Sequence, residues 1–206
     1  MDYAAYLRAQ QARMLRQTRF YYRQYLALLA GFSPLVDIGC GTGNFLAMAA
    51  GRQAVGVDAV AANVQACRQR GLVAAVANIT ALPFPAQAMG AVFCAHVLEH
   101  LERDELLAAA AEIERILRPG GRAIVVVPRP RDIWDFYADP THVSPMTEAR
   151  LALLFNRFAA IRFVNYYLPL AKDLLTVRLD LPAAYELLLR LVPFRGRTSI
   201  TAVLTR

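Results

Sequence analysis

The chain has 206 residues, 57% of them hydrophobic and 19% charged, with a formal net charge of +7 at pH 7. This length and apolar content exclude a disordered chain and suffice for one well-buried domain. The charge lies at the two ends: residues 1–35 hold five arginines against one aspartate, and residues 178–206 hold five against two acidic residues. Such ends suit an anionic membrane surface or another acidic partner, and they suit a plain solvated surface equally.

The three cysteines form no C-x-x-C pair, and we identify no leader segment before them. This pattern predicts reduced thiols and a cytoplasmic location, with the basic ends leaving contact with the inner face of the membrane open. Residues 71–98 carry no Asp, Glu, Lys or Arg, yet polar residues and prolines interrupt them. Two buried strands joined by a loop explain this stretch better than a membrane-spanning helix.

Residues 2–30 contain neither Pro nor Gly and combine apolar and basic positions at helical spacing. This pattern predicts an amphipathic helix that ends at Gly31, and we assign residues 1–34 to an N-terminal helical cap. As a lid, the helix would bring one of its arginines to a bound ligand; as a packing helix, it would expose them to solvent. The arginines concerned are Arg16, Arg19 and Arg23.

Apolar and helical segments then alternate along the chain. Predicted strands at 35–38, 53–58 and 72–76 are separated by predicted helices at 43–51 and 60–70. Strand–helix–strand alternation of this kind gives right-handed crossovers and a parallel sheet. The expected fold class is therefore α/β.

The first predicted strand runs into an acidic-x-Gly-x-Gly-x-Gly motif at residues 37–43. Glycines at alternate positions indicate a turn that needs positive φ or close backbone approach to a ligand. The dinucleotide motif would need glycine at Asn44, and the Lys-[Ser/Thr] pair of a phosphate loop is missing. Asp58 ends the next strand, where a carboxylate accepts hydrogen bonds from ribose hydroxyls. The sequence predicts a ligand with a ribose and no phosphate.

The glycine motif and three later segments resemble the class I S-adenosylmethionine-dependent methyltransferases. The later segments are residues 82–84, 92–101 and 116–122. The resemblance implies a Rossmann-like three-layer sandwich with a seven-stranded, mostly parallel sheet, one antiparallel strand and S-adenosyl-L-methionine as cofactor. It places the cofactor-binding residues at Asp37, Gly39, Cys40, Gly41, Gly43, Asp58, Ala59, Asn78, Ile79 and Ala95.

Asn78 departs from the family pattern, which usually has an acidic residue there to accept from the adenine amino group. A side-chain amide also has a carbonyl oxygen that accepts this bond without charge. We therefore keep Asn78 and Ile79 at the adenine side of the predicted site.

Residues 96–100 spell His-x-x-Glu-His, an inverted zinc-peptidase motif. That motif needs both histidines on one helical face, whereas His96 directly follows the predicted strand 91–95. The sequence shows no third ligand beside them. We predict no metal site.

A predicted helix at 102–118 and a predicted strand at 123–127 lead into a long loop, Arg129 to Pro145. The carboxyl ends of parallel strands are where open α/β sheets bind ligands, and a plain connection there needs only about 2 to 6 residues. We expect this loop to contact substrate. Its sequence resembles a subgroup of the family that accompanies saccharide and cell-envelope polymer synthesis.

Three histidines offer a base for methyl transfer to an oxygen nucleophile, which reacts better once its proton is removed. His142 lies in the substrate-edge loop with Asp139 three residues before it. We predict His142 as the base and Asp139 as the group that orients it. His100 is the alternative base, although we expect it to cap a helix or pack behind the cofactor rather than to take part in catalysis.

The rest of the chain completes the predicted domain. A helix at 146–155 and a strand at 159–167 end the cofactor-binding core 35–167, and residues 198–206 contain the last strand. A leucine-rich helical insertion at 168–197 separates them. It would act as a lid, a homodimer contact or a membrane contact, within one domain spanning residues 1–206.

The resemblance implies O-methylation of a small-molecule, saccharide or lipid-linked glycan acceptor. A quinone- or fatty-acid-type methyltransferase is an alternative within the same class. A protein that binds S-adenosylmethionine without turnover is an alternative from another class. Without a basic-aromatic nucleic-acid motif, we do not expect RNA as a partner.

Overall fold

A computed structural model describes residues 18–129, 136–164 and 199–206. The chain divides into two compact units. One unit is Leu28–Asn165 with Thr198–Arg206. The other, Met1–Ala27 with Tyr166–Arg197, is described only over residues 18–27, which are helical.

The strands are β1 (Leu35–Ile38), β2 (Ala54–Asp58), β3 (Ala74–Val76), β4 (Met89–Ala95), β5 (Leu117–Pro128), β6 (Ala160–Val164) and β7 (Ser199–Thr205). The helices are α1 (18–28), α2 (Asn44–Met48), α3 (Ala61–Gln69), α4 (Arg103–Ile116) and α5 (Glu148–Leu154), with a 3₁₀ turn at Leu98–His100.

The seven strands form one sheet in the order β3-β2-β1-β4-β5-β7-β6. β1 to β5 pair in parallel, and β7 pairs antiparallel with both β5 and β6. The expected α/β fold with one antiparallel strand is therefore confirmed. The helix between each pair of early strands enforces the parallel direction, because a parallel connection must cross back over the sheet.

The core follows from burial of the central strands on both faces. β1 is fully buried, and every residue from Ala123 to Val127 in β5 is also buried. Strands covered on both faces carry continuous apolar runs, as these do. Behind the glycine turn, the rings of Phe45 and Phe93 stack with centroids 3.8 Å apart. This stacking packs the start of α2, directly after the turn, against β4.

Two boundaries differ from prediction for identifiable reasons. The helix predicted at 43–51 covers only Asn44–Met48, because Gly43 adopts a left-handed conformation at its N-cap and the chain turns after Met48. The strand predicted at 123–127 already begins at Leu117, since the N–H of Gly120 donates to the carbonyl of Arg206 and the N–H of Arg206 donates to Gly121. Pro119 and the two glycines after it therefore lie within β5, where they make a local irregularity of the strand, instead of ending a helix.

Several predictions fall on residues outside the described ranges. The N-terminal cap is described only from residue 18, and the insertion at 168–197 lies wholly outside the description. The strand predicted at 159–167 is observed at Ala160–Val164, with its last predicted residues undescribed. Within the described part of the chain, no helix combines the length and apolarity required to cross a membrane.

Candidate active site

The glycine turn joins the carboxyl end of β1 to α2. Gly39, Gly41 and Gly43 have φ values of 71°, 52° and 82°, in the region that favours glycine. The N–H groups of Gly39 and Cys40 donate to the carbonyl of Val57, at 2.8 and 3.0 Å, and hold the turn against β2. The turn is thus a fixed backbone feature of the sheet edge.

The three glycines serve different purposes. A Cβ on Gly39 would meet Val97, and a Cβ on Gly43 would meet Leu72 and Cys67, so these two positions permit close packing within the protein. A Cβ on Gly41 would meet nothing within 4 Å. Gly41 therefore faces open space, which is where a ligand approaching the backbone would lie.

Asp58 links the turn to the end of β2. Its Oδ2 accepts from the N–H of Gly41 at 2.8 Å, while Oδ1 accepts from the N–H of Val60 at 2.9 Å and from Nδ2 of Asn63 at 3.1 Å. Asp58 as a whole residue is 8% exposed. A carboxylate oxygen can accept more than one bond, so Asp58 keeps capacity for ribose hydroxyls while it shapes the turn.

Asp37 lies near the carboxyl end of β1. It is 2% exposed, and its Oδ2 has no hydrogen-bond partner in the described residues. Burial raises the pKa of Asp37 to about 8, with the negative charge of Asp58 adding to the rise and the N–H of Leu46 opposing it. A buried oxygen of this kind is a ready acceptor for a cationic donor. The amino group of S-adenosylmethionine is such a donor, so the orphaned oxygen fits the cofactor.

The remaining predicted cofactor residues surround this edge. Ala59 is exposed just after β2, Ala95 is half-buried at the end of β4, and Ile79 is 5% exposed. The side-chain oxygen of Asn78 accepts from both the N–H and the hydroxyl of Thr80 at 3.0 Å. Asn78 therefore organises its own turn, and its contact with adenine stays a prediction.

The second polar segment starts where β4 ends, directly beside the glycine turn. Ile38 pairs with Cys94 in the sheet, and Val97 lies against Gly39. His96 has φ of 56°, a conformation that is uncommon for a residue with a side chain. The ends of β1 and β4 thereby place residues 96–100 next to the proposed cofactor edge.

Glu99 contacts His96 through its side chain and the loop after β5 through its backbone. Its side chain is 1% exposed; Oε1 lies 3.2 Å from Nδ1 of His96, and Oε2 has no partner among the described atoms. The backbone carbonyl of Glu99 accepts from the N–H groups of Val143 and Ser144, at 2.9 and 3.0 Å. These bonds tie the loop after β5 to the end of β4, and the contact of this loop with substrate stays a prediction.

The structure brings the predicted catalytic residues together. Nε2 of His142 lies 3.8 Å from Oδ2 of Asp139, and the rings of His100 and His142 are 5.0 Å apart between centroids. Nδ1 of His142 lies 2.8 Å from the carbonyl of Phe136. Since a carbonyl only accepts, Nδ1 carries the proton and Nε2 is left with a lone pair. The carbonyl of Phe136, rather than Asp139, therefore supplies the orienting bond at the far nitrogen.

Residues 36–125 match the protein-family model described as a methyltransferase domain. A solved structure of a SAM-dependent methyltransferase from Archaeoglobus fulgidus superposes with a TM-score of 0.71, covering 94% of each chain at 18% identity. Residues 36–125 thus match a methyltransferase domain, and the fold of the chain is that of SAM-dependent methyltransferases. A geranyl diphosphate methyltransferase solved with GPP and sinefungin shares this fold, with a TM-score of 0.66 and 19% identity over 91% of this chain and 78% of that one.

The sequence relatives align with about half of this chain. The tRNA (carboxymethyluridine(34)-5-O)-methyltransferase alkbh8 of Xenopus tropicalis is 35% identical over 50% of this chain and 17% of its own length. The probable tRNA methyltransferase 9B of Homo sapiens is 33% identical over 51% of this chain and 23% of its own length. The chain thus spans about a fifth of the length of these relatives.

The residues present fit the cofactor of a methyltransferase domain. Asp58 would hold the ribose, Asp37 would face the amino group, and the backbone at Gly41 leaves room for the ligand. S-Adenosylmethionine supplies an electrophilic sulfonium methyl group when bound. The residues of this chain would then hold an acceptor in line with that methyl group and exclude water.

The burial of Glu99 was not predicted, although the sequence placed this residue in a zinc-peptidase motif and in the family-like segment 92–101. The available signal was a carboxylate inside an apolar segment, Val97 to Leu101, which a solvated surface position would not show. The left-handed backbone at His96 was not predicted either. No composition signal predicts that conformation for histidine.

Proposed function

We propose that the methyltransferase domain transfers a methyl group to an oxygen atom of a small-molecule, saccharide or lipid-linked glycan acceptor. The observation that carries this proposal is the junction of β1 and β4, where the glycine turn and the histidine segment lie side by side. A lipid-linked acceptor would bring the basic ends of the chain to an anionic membrane surface. The insertion at 168–197 is then available for that surface or for a homodimer.

His142 takes the acceptor proton in this proposal. Its Nε2 carries the lone pair, because Nδ1 donates to the carbonyl of Phe136. Oδ2 of Asp139, 3.8 Å from Nε2, stabilises the imidazolium that forms when the proton arrives. Positioned proton transfer of this kind contributes about 10² to 10⁴ to a rate. An oxygen electron pair of the acceptor would form the new C–O bond as the C–S bond of S-adenosylmethionine breaks and its electron pair returns to sulfur. The acceptor proton would go to Nε2 of His142.

A second candidate acceptor is a carboxylate on a tRNA nucleoside. The sequence relatives that cover half of this chain are named as tRNA methyltransferases, and one name specifies a carboxymethyluridine. A carboxylate is already ionised at neutral pH and needs no base. The two candidates therefore differ in their dependence on His142.

The test is methyl transfer from labelled S-adenosylmethionine to fractionated saccharides, lipid-linked glycans, quinones, fatty acids and tRNA. We expect label in the saccharide or lipid-linked fraction and a loss of about 10² to 10⁴ in the single-turnover rate of His142→Ala. The control is Arg157→Ala, because Arg157 is 74% exposed and pairs with Glu114 on α4. Label in tRNA with an unchanged rate in His142→Ala would support the second candidate instead.

A quinone or fatty-acid fraction that gains label would identify the other small-molecule class. If the protein binds S-adenosylmethionine in calorimetry but labels no fraction, the domain is a binding module and the proposal of turnover is wrong.

A further inference from the structure

We propose that Glu99, His100 and His142 form a binding site for one divalent transition-metal ion. A ligand atom from each of the three side chains lies within 4.8 Å of the other two. The 3₁₀ turn after β4 supplies the first two residues, and the loop after β5 supplies the third. Along the chain no third ligand lies beside residues 96–100, whereas the fold brings His142 to Glu99 and His100 from the neighbouring loop.

The buried carboxylate of Glu99 is the feature that indicates a ligand. Its side chain is 1% exposed, and Oε2 has no partner among the described residues. A buried carboxylate oxygen without a partner is costly, and burial of this kind is usually compensated by a cation or a donor. Oε1 is already opposite Nδ1 of His96, so the second oxygen is the one available to an ion.

Both histidines hold Nδ1 against a backbone carbonyl, which leaves Nε2 as the ring nitrogen free for a ligand. Nδ1 of His142 donates to the carbonyl of Phe136 at 2.8 Å, and Nδ1 of His100 faces the carbonyl of Thr141 at 3.1 Å. The hydroxyl of Thr141 donates to Asp139 at 2.6 Å, so it too can only accept from His100. Metal-bound histidines characteristically donate their other ring N–H to a carbonyl or carboxylate. Each Nε2 is left with its lone pair.

The donor set selects the class of ion. Two imidazole nitrogens and one carboxylate oxygen suit Zn²⁺ and neighbouring first-row ions, whereas Mg²⁺ and Ca²⁺ prefer oxygen ligands. Bonds of about 2.0 to 2.2 Å would draw the three ligand atoms closer than they lie here. Three protein ligands also leave a coordination position open, as in catalytic zinc sites.

The site goes beyond the proposed function, because ion binding depends on neither the cofactor nor the acceptor. In the proposed function His142 offers the lone pair of Nε2 to the acceptor proton. With an ion bound, the same lone pair coordinates the metal. An ion-bound hydroxyl loses its proton to water more readily, so methyl transfer would then require the metal instead of the free imidazole.

The test is calorimetric titration of the metal-free full chain with Zn²⁺ in the absence of cofactor and acceptor. We expect one ion per chain, and more than a tenfold loss of affinity in each of His100→Ala, His142→Ala and Glu99→Gln. The matched control is His96→Asn, a histidine outside the ligand set replaced by a residue that tolerates positive φ. The affinity of His96→Asn for Zn²⁺ should fall by less than tenfold. Because Glu99→Gln risks misfolding, circular dichroism checks each variant and the His100 variant carries the result alone if needed.

Three outcomes would overturn the site. No binding of Zn²⁺ by the folded wild type is the first. A loss in His96→Asn as large as in His142→Ala would move the ion to the His96–Glu99–His100 segment. Binding that survives His100→Ala and His142→Ala but disappears in Cys40→Ser would assign the ion to the buried thiols of Cys40 and Cys67, 4.0 Å apart. Each of these outcomes concerns ion binding alone, and the labelling experiment measures separately whether methyl transfer occurs.

Discussion

Asp37 shows how a single buried residue ties ligand binding to stability. It is 2% exposed, and burial raises its pKa from 3.8 to about 8. Between these two values the folded chain holds a proton on Asp37 that the unfolded chain has lost. The unfolding free energy must therefore decrease as the pH rises through this window. The ligand that meets this oxygen would offset that loss.

Our first prediction is that Asp37→Asn removes this pH dependence. The wild type should become less stable between about pH 4 and pH 8, with a slope of at most about 1.4 kcal/mol per pH unit from this group. The neutral amide of Asp37→Asn has no proton to lose. Its unfolding free energy, measured with urea at pH 5 and pH 8, should therefore fall less with rising pH than that of the wild type. The exposed Asp104→Asn should behave as the wild type does. Equal slopes in wild type and Asp37→Asn would show that Asp37 is ionised throughout.

Gly41 carries the second prediction. Replacing it with alanine places a methyl group in the open space beside the turn, so the protein should fold but bind S-adenosylhomocysteine at least about tenfold more weakly. Gly51→Ala is the matched control, because Gly51 also has positive φ and open space around its Cβ position. Both variants bear similar backbone strain, of about 1 kcal/mol. Equal affinities in calorimetry would remove Gly41 from the cofactor site.

At the scale of elements, α4 holds the loop between β3 and β4 in place. Nη1 of Arg115 donates to the carbonyl of Phe84 at 2.7 Å, and its Nη2 donates to that of Leu82 at 3.1 Å. Oε2 of Glu112 accepts from the N–H of Leu82 at 2.7 Å. The hydrogen bond from Arg115, aided by the N–H of Leu82, lowers the pKa of Glu112 despite its desolvation. One helix thus fixes the backbone that follows the predicted adenine side.

The third prediction is that Arg115→Ala lowers the unfolding free energy by about 1 to 2 kcal/mol, since it removes several bonds to a half-exposed guanidinium. Because Glu112 has a lowered pKa, its contribution is present above its ordinary value of 4.5 and disappears as the pH falls. The difference between wild type and variant should therefore shrink below about pH 4.5. Denaturant unfolding at pH 7 and pH 3.5 measures it, with the exposed Arg118→Ala as control. A difference that persists at pH 3.5 would mean that packing, not the ion pair, is lost.

For the molecule as a whole, cofactor binding should act on global stability. S-Adenosylhomocysteine at a hundred times its Kd should stabilise the fold by about 2.7 kcal/mol. That gain corresponds to a rise in Tm of roughly 5 to 10 °C for a chain of this size. Asp58→Ala should lose most of the rise, because it removes the proposed ribose ligand and the bond to Gly41.

Asn63→Ala is the comparison for Asp58→Ala. It removes only one donor to Oδ1 of Asp58, so it should lower the Tm of the free protein while keeping the ligand-induced rise. If Asp58→Ala keeps the full rise, another group holds the ribose.

The sequence predicted the fold because its signals are local. Alternating apolar and helical segments, the glycines at 39, 41 and 43, and Asp58 at a strand end are all visible along the chain. The proximity of Glu99 and His142 is not visible along the chain, because it depends on the loop after β5 returning to the end of β4. The orienting carbonyl of Phe136 was equally invisible, since any residue type supplies a backbone carbonyl.

β7 lies between β5 and β6, although it follows both along the chain. A ribosome adding about 5 to 20 residues per second releases β5 and β6 well before residues 199–205 emerge. Until then β5 has an open apolar edge, and β6 has no strand to pair with. Unpaired edges of this kind attract other chains. Nascent or prematurely terminated chains should therefore aggregate through β5, or engage a chaperone there, until the last strand inserts.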